Sequence, residues 1–322
     1  MSTIPHRPFG KSGEMISAIS MGCGFPWGFA GFDRAIETVR HALDRGIQYF
    51  DTSVLYRNGG SQVIVGEALA ERREKHFLAT KIGHFKEARF FRSPEAMMVQ
   101  FREGLRQLRR DSVDLLQVHE ADWDNWWTDR PDVAACQLFD MQKSYDFNNA
   151  PVLQFLRDAK ARGLCRYIGI TGNNARHLGR LISELHGIDS VLVAYNYMPL
   201  NVTARQFVIP PAHAKGIAVI VAGVFTFISR IPPGWRTEGT YFGKRADEQL
   251  DQLQKLHKAS GIPLAELALR FVAADDRITS VCVGACQPAE VDQNVASFNA
   301  GKLPPDLHAA LESIAAQFEK LN

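Results

Sequence analysis

The chain has 322 residues, 46% of them hydrophobic and 22% charged, with a formal net charge of +2. That length and apolar content suffice for one large core, and the balanced charge excludes the strong basic field of a nucleic-acid binder. The basic stretches 71–76 and 102–110 are interrupted by acids or fall at helical spacing, which is the pattern of solvated helix faces. Five cysteines (Cys23, Cys136, Cys165, Cys282, Cys286) are scattered without a CxxC pair, so free thiols and no metal site are expected. No run of about 18 apolar residues occurs and the first residues lack an apolar signal core, so the expectation is a cytoplasmic protein with no membrane segment.

In chain order, residues 4–17 read as a small hairpin turning at Phe9–Glu14, and Ile16 to Met21 as a first strand. The following Gly22-Cys23-Gly24-Phe25-Pro26-Trp27-Gly28 fails as a dinucleotide fingerprint, because Trp27 stands at the third glycine and Pro26 disturbs the helix start. A steady alternation then begins. Helices are expected over 32–45, 61–72 and 94–109, the last capped by Ser93 with Pro94 in its first turn, and each leads into a strand at 47–51, 76–81 and 113–118. Helices over 151–162, 174–186 and 203–215 lead into strands at 167–170, 191–195 and 217–222. A helix over 263–274 leads into 280–283, followed by a helix over 288–298, while 246–259 and 305–318 add helices outside the repeat. Solidly apolar strands alternating with amphipathic helices give a parallel sheet covered by helices. Eight such strands favour a closed (β/α)8 TIM barrel with an N-terminal hairpin, and no linker divides 1–322, so a single barrel domain is expected. Long connections at 120–150, rich in aromatic residues, and at 223–245 interrupt the repeat.

Ligands bind at the carboxyl ends of parallel strands. Three successive strand ends there carry Asp51 with Tyr56, Lys81, and His119. A phenol titrates near 10, too high for ready proton donation at neutral pH. A lysine ammonium beside it lowers that value, and an aspartate keeps the lysine charged. A histidine then directs the substrate oxygen, so the group can protonate a carbonyl while hydride arrives at carbon, or run in reverse. Taken singly, each residue is more often a cap, a packing residue or an exposed side chain. Their joint placement favours the chemistry, which requires a hydride carrier such as a nicotinamide.

Phe50-Asp51-Thr52-Ser53 with Tyr56, Thr80-Lys81 and Asp114 to His119 resemble the motifs of the aldo-keto reductase superfamily. Tyr167 to Thr171, Leu267 to Phe271 and Val281 to Asn294 match it in the same order, so the resemblance spans nearly the whole chain. It implies Tyr56 as acid/base, Lys81 and Asp51 tuning it, and His119 orienting the carbonyl. It also implies an extended NAD or NADP molecule across the carboxyl-end face, touching Gly22, Thr171, Asn173, Gly223, Phe225, Gly284, Ala285, Glu290 and Asn294. The family commonly has an aromatic residue after the seventh strand that stacks on the nicotinamide; here Gly223 leaves that position without a ring. Ala222-Gly223-Val224-Phe225 is similar to the aldose dehydrogenase branch, which oxidises sugars such as fucose, galactose and arabinose. The carboxamide-holding Ser-Asn pair appears as Thr171-Gly172, with Asn173 one place later.

NADP-preferring members carry Lys or Arg after strand eight, because a dianionic phosphate requires a cation. The segment 284–290 has none, and Glu290 stands where arginine is common. A carboxylate there repels phosphate and can accept from a ribose diol, which leans to NAD; equally, it is an ordinary acid in the first turn of a helix. Trp27, Trp123, Trp126 and Trp127 are candidates for the substrate pocket, the last two with an equal claim to packing the 120–150 connection onto the barrel. The reading is an NAD-dependent aldose dehydrogenase acting on a sugar. The alternatives are an NADPH-dependent aldehyde or ketone reductase and a cofactor-binding regulatory subunit of the potassium-channel beta type. A metal-dependent barrel enzyme would need clustered His and carboxylate ligands at several strand ends, and of the ten histidines only His119 ends a strand.

Overall fold

The computed structural model describes residues 4–25, 29–128, 137–227 and 245–319. Two short strands, β1 (His6–Pro8) and β2 (Met15–Ser17), pair antiparallel with His6 opposite Ser17. Eight further strands close into a parallel barrel: β3 (Ile19–Gly22), β4 (Tyr49–Asp51), β5 (Phe77–Ile82), β6 (Val113–Val118), β7 (Cys165–Gly172), β8 (Ser190–Ala194), β9 (Ala218–Ala222) and β10 (Ser280–Gly284). They lie in chain order around the barrel, and β10 completes it against β3, with Val281 opposite Ile19. The expected strand at 16–21 is thus two strands, since Ala18, whose N–H bonds Pro5 O, separates the hairpin from the barrel.

The helices are α1 (Phe32–Asp44), α2 (Gly60–Leu69), α3 (Pro94–Leu108), α4 (Pro151–Ala161), α5 (Ala175–Glu184), α6 (Thr203–Phe207), α7 (Ile209–Lys215), α8 (Ala246–Ser260), α9 (Leu264–Ala273), α10 (Pro288–Asn299) and α11 (Pro305–Glu319). Ser93 caps α3 by accepting the Ala96 N–H at 3.1 Å, with Pro94 in the first turn. The helix expected over 203–215 is broken at Val208. Pro210 and Pro211 lack N–H donors, so they fit only the first turn of a new helix.

The apolar residues form two bodies. The larger lies between the outer barrel face and the helices, and the smaller fills the barrel interior with Phe9, Tyr49, Phe77, Leu115 and Ile220. Phe9, from the hairpin turn, has its ring 5.0 Å from those of both Phe77 and Tyr167. The hairpin therefore stoppers the amino-terminal end, leaving the carboxyl end as the open one. Cys23, Cys165 and Cys282 are buried free thiols, while Cys136 lies outside the described residues. Among the described residues no helix is long and apolar enough to cross a membrane, and no group of His, Cys, Asp and Glu could hold a metal ion.

Candidate active site

Strand periodicity builds the site. Along a strand every second side chain faces the interior, so the register that buries Tyr49, Phe77, Ala79 and Leu115 in the barrel also turns Asp51, Lys81 and Gln117 inward nearer the carboxyl end. Lys81 pairs with Asp51, both almost wholly buried, and its ammonium also donates to Thr52 O at 2.9 Å. Gln117 Nε2 donates to the other oxygen of Asp51 at 3.0 Å, so the carboxylate is fixed from two strands.

Past β4 the chain folds into a tight turn, Tyr56–Gly59, in which Arg57 and Asn58 both adopt left-handed backbone. This turn sets the Tyr56 ring 4.9 Å from the Lys81 ammonium and 5.6 Å, edge-on, from the His119 ring. The His119 main chain is anchored by its N–H to Ile82 O at 2.9 Å, and its Nδ1 lies 3.0 Å from Ser53 Oγ. Asp51, Tyr56, Lys81 and His119, read as one group from the sequence, are brought together.

The electrostatics differ in one respect from the sequence expectation. Burial pushes the Tyr56 phenol up to about 12; Lys81 lowers it as expected, but desolvation outweighs that effect, with Asp51 and Tyr195 acting on the same side. Burial opposes the Lys81 charge, yet Asp51 and Tyr56 overcome it and hold the ammonium above its ordinary value. His119 is driven well below its ordinary value by burial, then by Lys81 and His84, so its ring is neutral at pH 7.

Seven non-glycine residues among those described have positive φ, and six of them follow barrel strands at this end: Phe25, Arg57, Asn58, His84, Glu120 and Tyr195. Such backbone is costly and concentrates where a site dictates side-chain direction. The His84 ring packs 4.5 Å from His119 and 4.8 Å from Trp123, and His84 Nε2 lies 3.0 Å from Glu120 Oε2. Glu120 Oε1 accepts from Asn173 Nδ2 at 2.6 Å. Asp122, fully buried, accepts the N–H groups of Asn173 and Asn174, each at 2.8 Å, and burial raises its carboxyl to about 7 against those two bonds. Ser53, Gln117, Glu120, Asp122 and Tyr195 were not singled out in the sequence. The period-two spacing from Asp51 to Ser53 and from Gln117 to His119 was the available signal for two of them.

The tryptophans divide. Trp126 is fully buried, packs edge-to-face on Phe91 at 4.8 Å and donates to the carbonyls of His119 and Glu120 at 3.2 Å. It lies against Gly83, where an added Cβ would meet its ring at 2.8 Å. Trp127 donates to Ala121 O at 2.7 Å and packs on Phe147. Both hold the 120–150 connection on the barrel rather than forming an open wall, and Trp123 is the one beside His84. Trp27 lies outside the described residues.

The residues expected to hold a dinucleotide line the same end. Gly22 and Gly284 end neighbouring strands, and a Cβ added at Gly284 would meet nothing nearer than Gly22 O at 3.9 Å, leaving open backbone for an extended ligand. Ala285 is buried, and Phe225 is half-buried against the larger core. Asn294 ties α10 to Gly284 O at 3.2 Å. Thr171 Oγ1 accepts the Glu120 N–H at 3.1 Å. Beside Gly223, which carries no ring, stands the ring of Tyr195 from the neighbouring strand end. This aromatic face, the Asn173 amide and the open glycine backbone fit a nicotinamide dinucleotide. Glu290 is engaged locally: its carboxylate accepts from Cys286 N–H at 2.7 Å and Gln287 Nε2 at 3.2 Å, closing the start of α10.

Comparison with known proteins follows the same outline. L-galactose dehydrogenase of Arabidopsis thaliana is 28% identical over 92% of this chain and 89% of its own length. D-threo-aldose 1-dehydrogenase of a Pseudomonas species is 25% identical over 87% of both chains. The holo form of an aldo-keto reductase from Bacillus halodurans superposes with a TM-score of 0.73 at 23% identity, over 97% of this chain and 96% of that one, a likeness of fold. The family model described as "Aldo/keto reductase family" matches residues 20–316. The chain therefore belongs to the aldo/keto reductase family and is an NAD(P)-dependent oxidoreductase.

Proposed function

We propose that the protein is an NAD-dependent aldose 1-dehydrogenase built on one barrel domain, with Tyr56 as acid/base, Lys81 and Asp51 controlling its charge, and His119 directing the substrate oxygen. The observation that carries the chemistry is the buried Lys81–Asp51 pair beneath the Tyr56 ring, with His119 edge-on to the phenol. The sugar reading is supported by the two sugar dehydrogenases among the relatives and by the Ala222 to Phe225 phrase. Bound NAD supplies the hydride acceptor. The C1 hydroxyl proton passes to Tyr56 Oη as the C1 hydrogen leaves with its electron pair, and a lactone carbonyl remains. Lys81 stabilises the phenolate that accepts this proton, while neutral His119 hydrogen-bonds the same oxygen. Gly22, Gly223, Phe225, Gly284, Ala285 and Asn294 shape the dinucleotide cleft, with Thr171 and Asn173 toward its carboxamide.

The preference for NAD rests on the segment 284–290, which contains Glu290 and no lysine or arginine. The second reading is an NADPH-dependent aldehyde or ketone reductase. Parallel assays with NAD⁺ and NADP⁺ on L-fucose, L-galactose and D-arabinose decide between them. Turnover with NAD⁺ preferred is expected. Silence on every sugar, with NADPH consumed by simple aldehydes, makes the enzyme a general carbonyl reductase.

A further inference from the structure

His119 meets the substrate oxygen through one ring nitrogen, so its usefulness depends on which nitrogen carries the proton. We propose that Ser53 is a positioning residue that fixes His119 as the Nε2–H tautomer, aimed at the substrate oxygen. Three observations carry this. Ser53 is fully buried, its Oγ lies 3.0 Å from His119 Nδ1, and the same Oγ accepts the Leu55 N–H at 3.2 Å.

A hydroxyl has one hydrogen to give. With Nδ1 protonated, the Leu55 N–H and the Nδ1–H would converge on one oxygen, and the Ser53 hydrogen would be buried with no other acceptor among its hydrogen bonds. With Nδ1 bare, Ser53 donates to it while accepting from Leu55, so the hydroxyl and Nδ1 are both satisfied, and the proton resides on Nε2, which makes no hydrogen bond within the described residues and is left to meet the substrate oxygen. Leaving a buried hydroxyl unsatisfied shifts such an equilibrium on the order of 10- to 100-fold. The ring itself lies edge-on to both Tyr56 and His84, which restrain its orientation.

The inference rests on the role proposed for His119, and its test separates the two. In protein carrying ¹⁵N-histidine, with His119 assigned by loss of its signals in His119→Gln, the imidazole shifts report the tautomer directly. Wild type is expected to show protonated Nε2 and bare Nδ1 from pH 6 to 9. Ser53→Ala should give a mixture of tautomers and lower kcat about tenfold with little change in KM, and Ser53→Thr, which keeps the hydroxyl, should restore both. A protonated Nδ1 in wild type, or an unchanged tautomer in Ser53→Ala, overturns the inference. A tautomer shift in Ser53→Ala with kcat unchanged upholds the control by Ser53 and instead removes His119 from the proposed chemistry.

Discussion

The ring of Tyr195 fills the space that a side chain at position 223 would need: a Cβ built on Gly223 would lie 2.5 Å from Tyr195 Cδ1 and 2.8 Å from Cε1. Both residues have left-handed backbone, with φ of 66° and 72°. Tyr195 donates its N–H to Ala222 O at 3.0 Å, which holds the two strand ends in step. An aromatic face is thus present beside the glycine, contributed by β8 rather than by the segment after β9. Gly223→Ala should cost the steric clash plus about 1–2 kcal/mol for the left-handed backbone. In a Tyr195→Ala background the ring clash is gone, while the backbone cost and the 3.0 Å approach to the main-chain nitrogen of residue 195 remain, so urea denaturation of the four variants should show non-additivity. Tyr195→Ala alone should weaken dinucleotide binding several-fold, read by quenching of protein fluorescence.

Tyr56 must be a phenolate to accept a proton, and burial holds its phenol near 12. The rate of sugar oxidation should therefore rise with pH across the neutral and alkaline range. His119, lowered well below its ordinary value, should add no inflection near 6.5. Tyr56→Phe should lose roughly 10²- to 10⁴-fold in kcat with dinucleotide affinity retained. A variant that turns over like wild type would remove Tyr56 from the chemistry.

Lys81 and Asp51 are nearly inaccessible, so each depends on the other. Lys81→Met strands a carboxylate that retains only the Gln117 donor, and Asp51→Asn strands an ammonium. Either should destabilise the fold by about 3–5 kcal/mol. The double variant should recover part of that stability while remaining inactive, a split visible by comparing thermal midpoints with turnover.

Asp122 gives a pH dependence of stability. Its carboxyl is raised to about 7 by burial, so between the ordinary carboxylate range and pH 7 the folded state retains a proton that the unfolded state has released. Its contribution to stability is complete below about pH 4 and is lost as pH rises through 7, by at most about 4 kcal/mol. Asp122→Asn keeps an oxygen for the Asn173 and Asn174 N–H groups and removes the buried charge. Its denaturation midpoint should fall less than that of wild type between pH 5 and 8.

Much of this architecture was legible because strand and helix periods are local properties. The spacing of Asp51, Lys81 and His119 from buried Tyr49, Phe77 and Leu115 follows the pleat, which is why the sequence could point them to one end of the barrel. Pro210 and Pro211 announced the break between α6 and α7, yet an apolar helical pattern running across them masked it. Glu290 had two readings in the sequence, and the geometry of its loop adds the local one, a carboxylate that closes the helix start. Tyr195 and Asp122 were invisible for a different reason. A left-handed tyrosine and an aspartate reaching two amides of another connection owe their positions to chain far away in sequence.

The seam between β3 and β10 carries a consequence for how the chain comes into being. Ser280 Oγ bonds Ser17 O and Ser20 Oγ at 2.9 Å, and Arg7 donates to Ile278 O at 2.7 Å and Ala273 O at 2.9 Å. The first strand of the barrel thus waits for the eighth to find its second neighbour. Until Gly284 has emerged, the nascent sheet has two raw edges and an aromatic stopper with nothing to seal, the state most prone to wrong pairing. Chaperone demand in the cell should therefore peak before β10 has emerged, and a chain cut before β10 should aggregate where one that includes it folds.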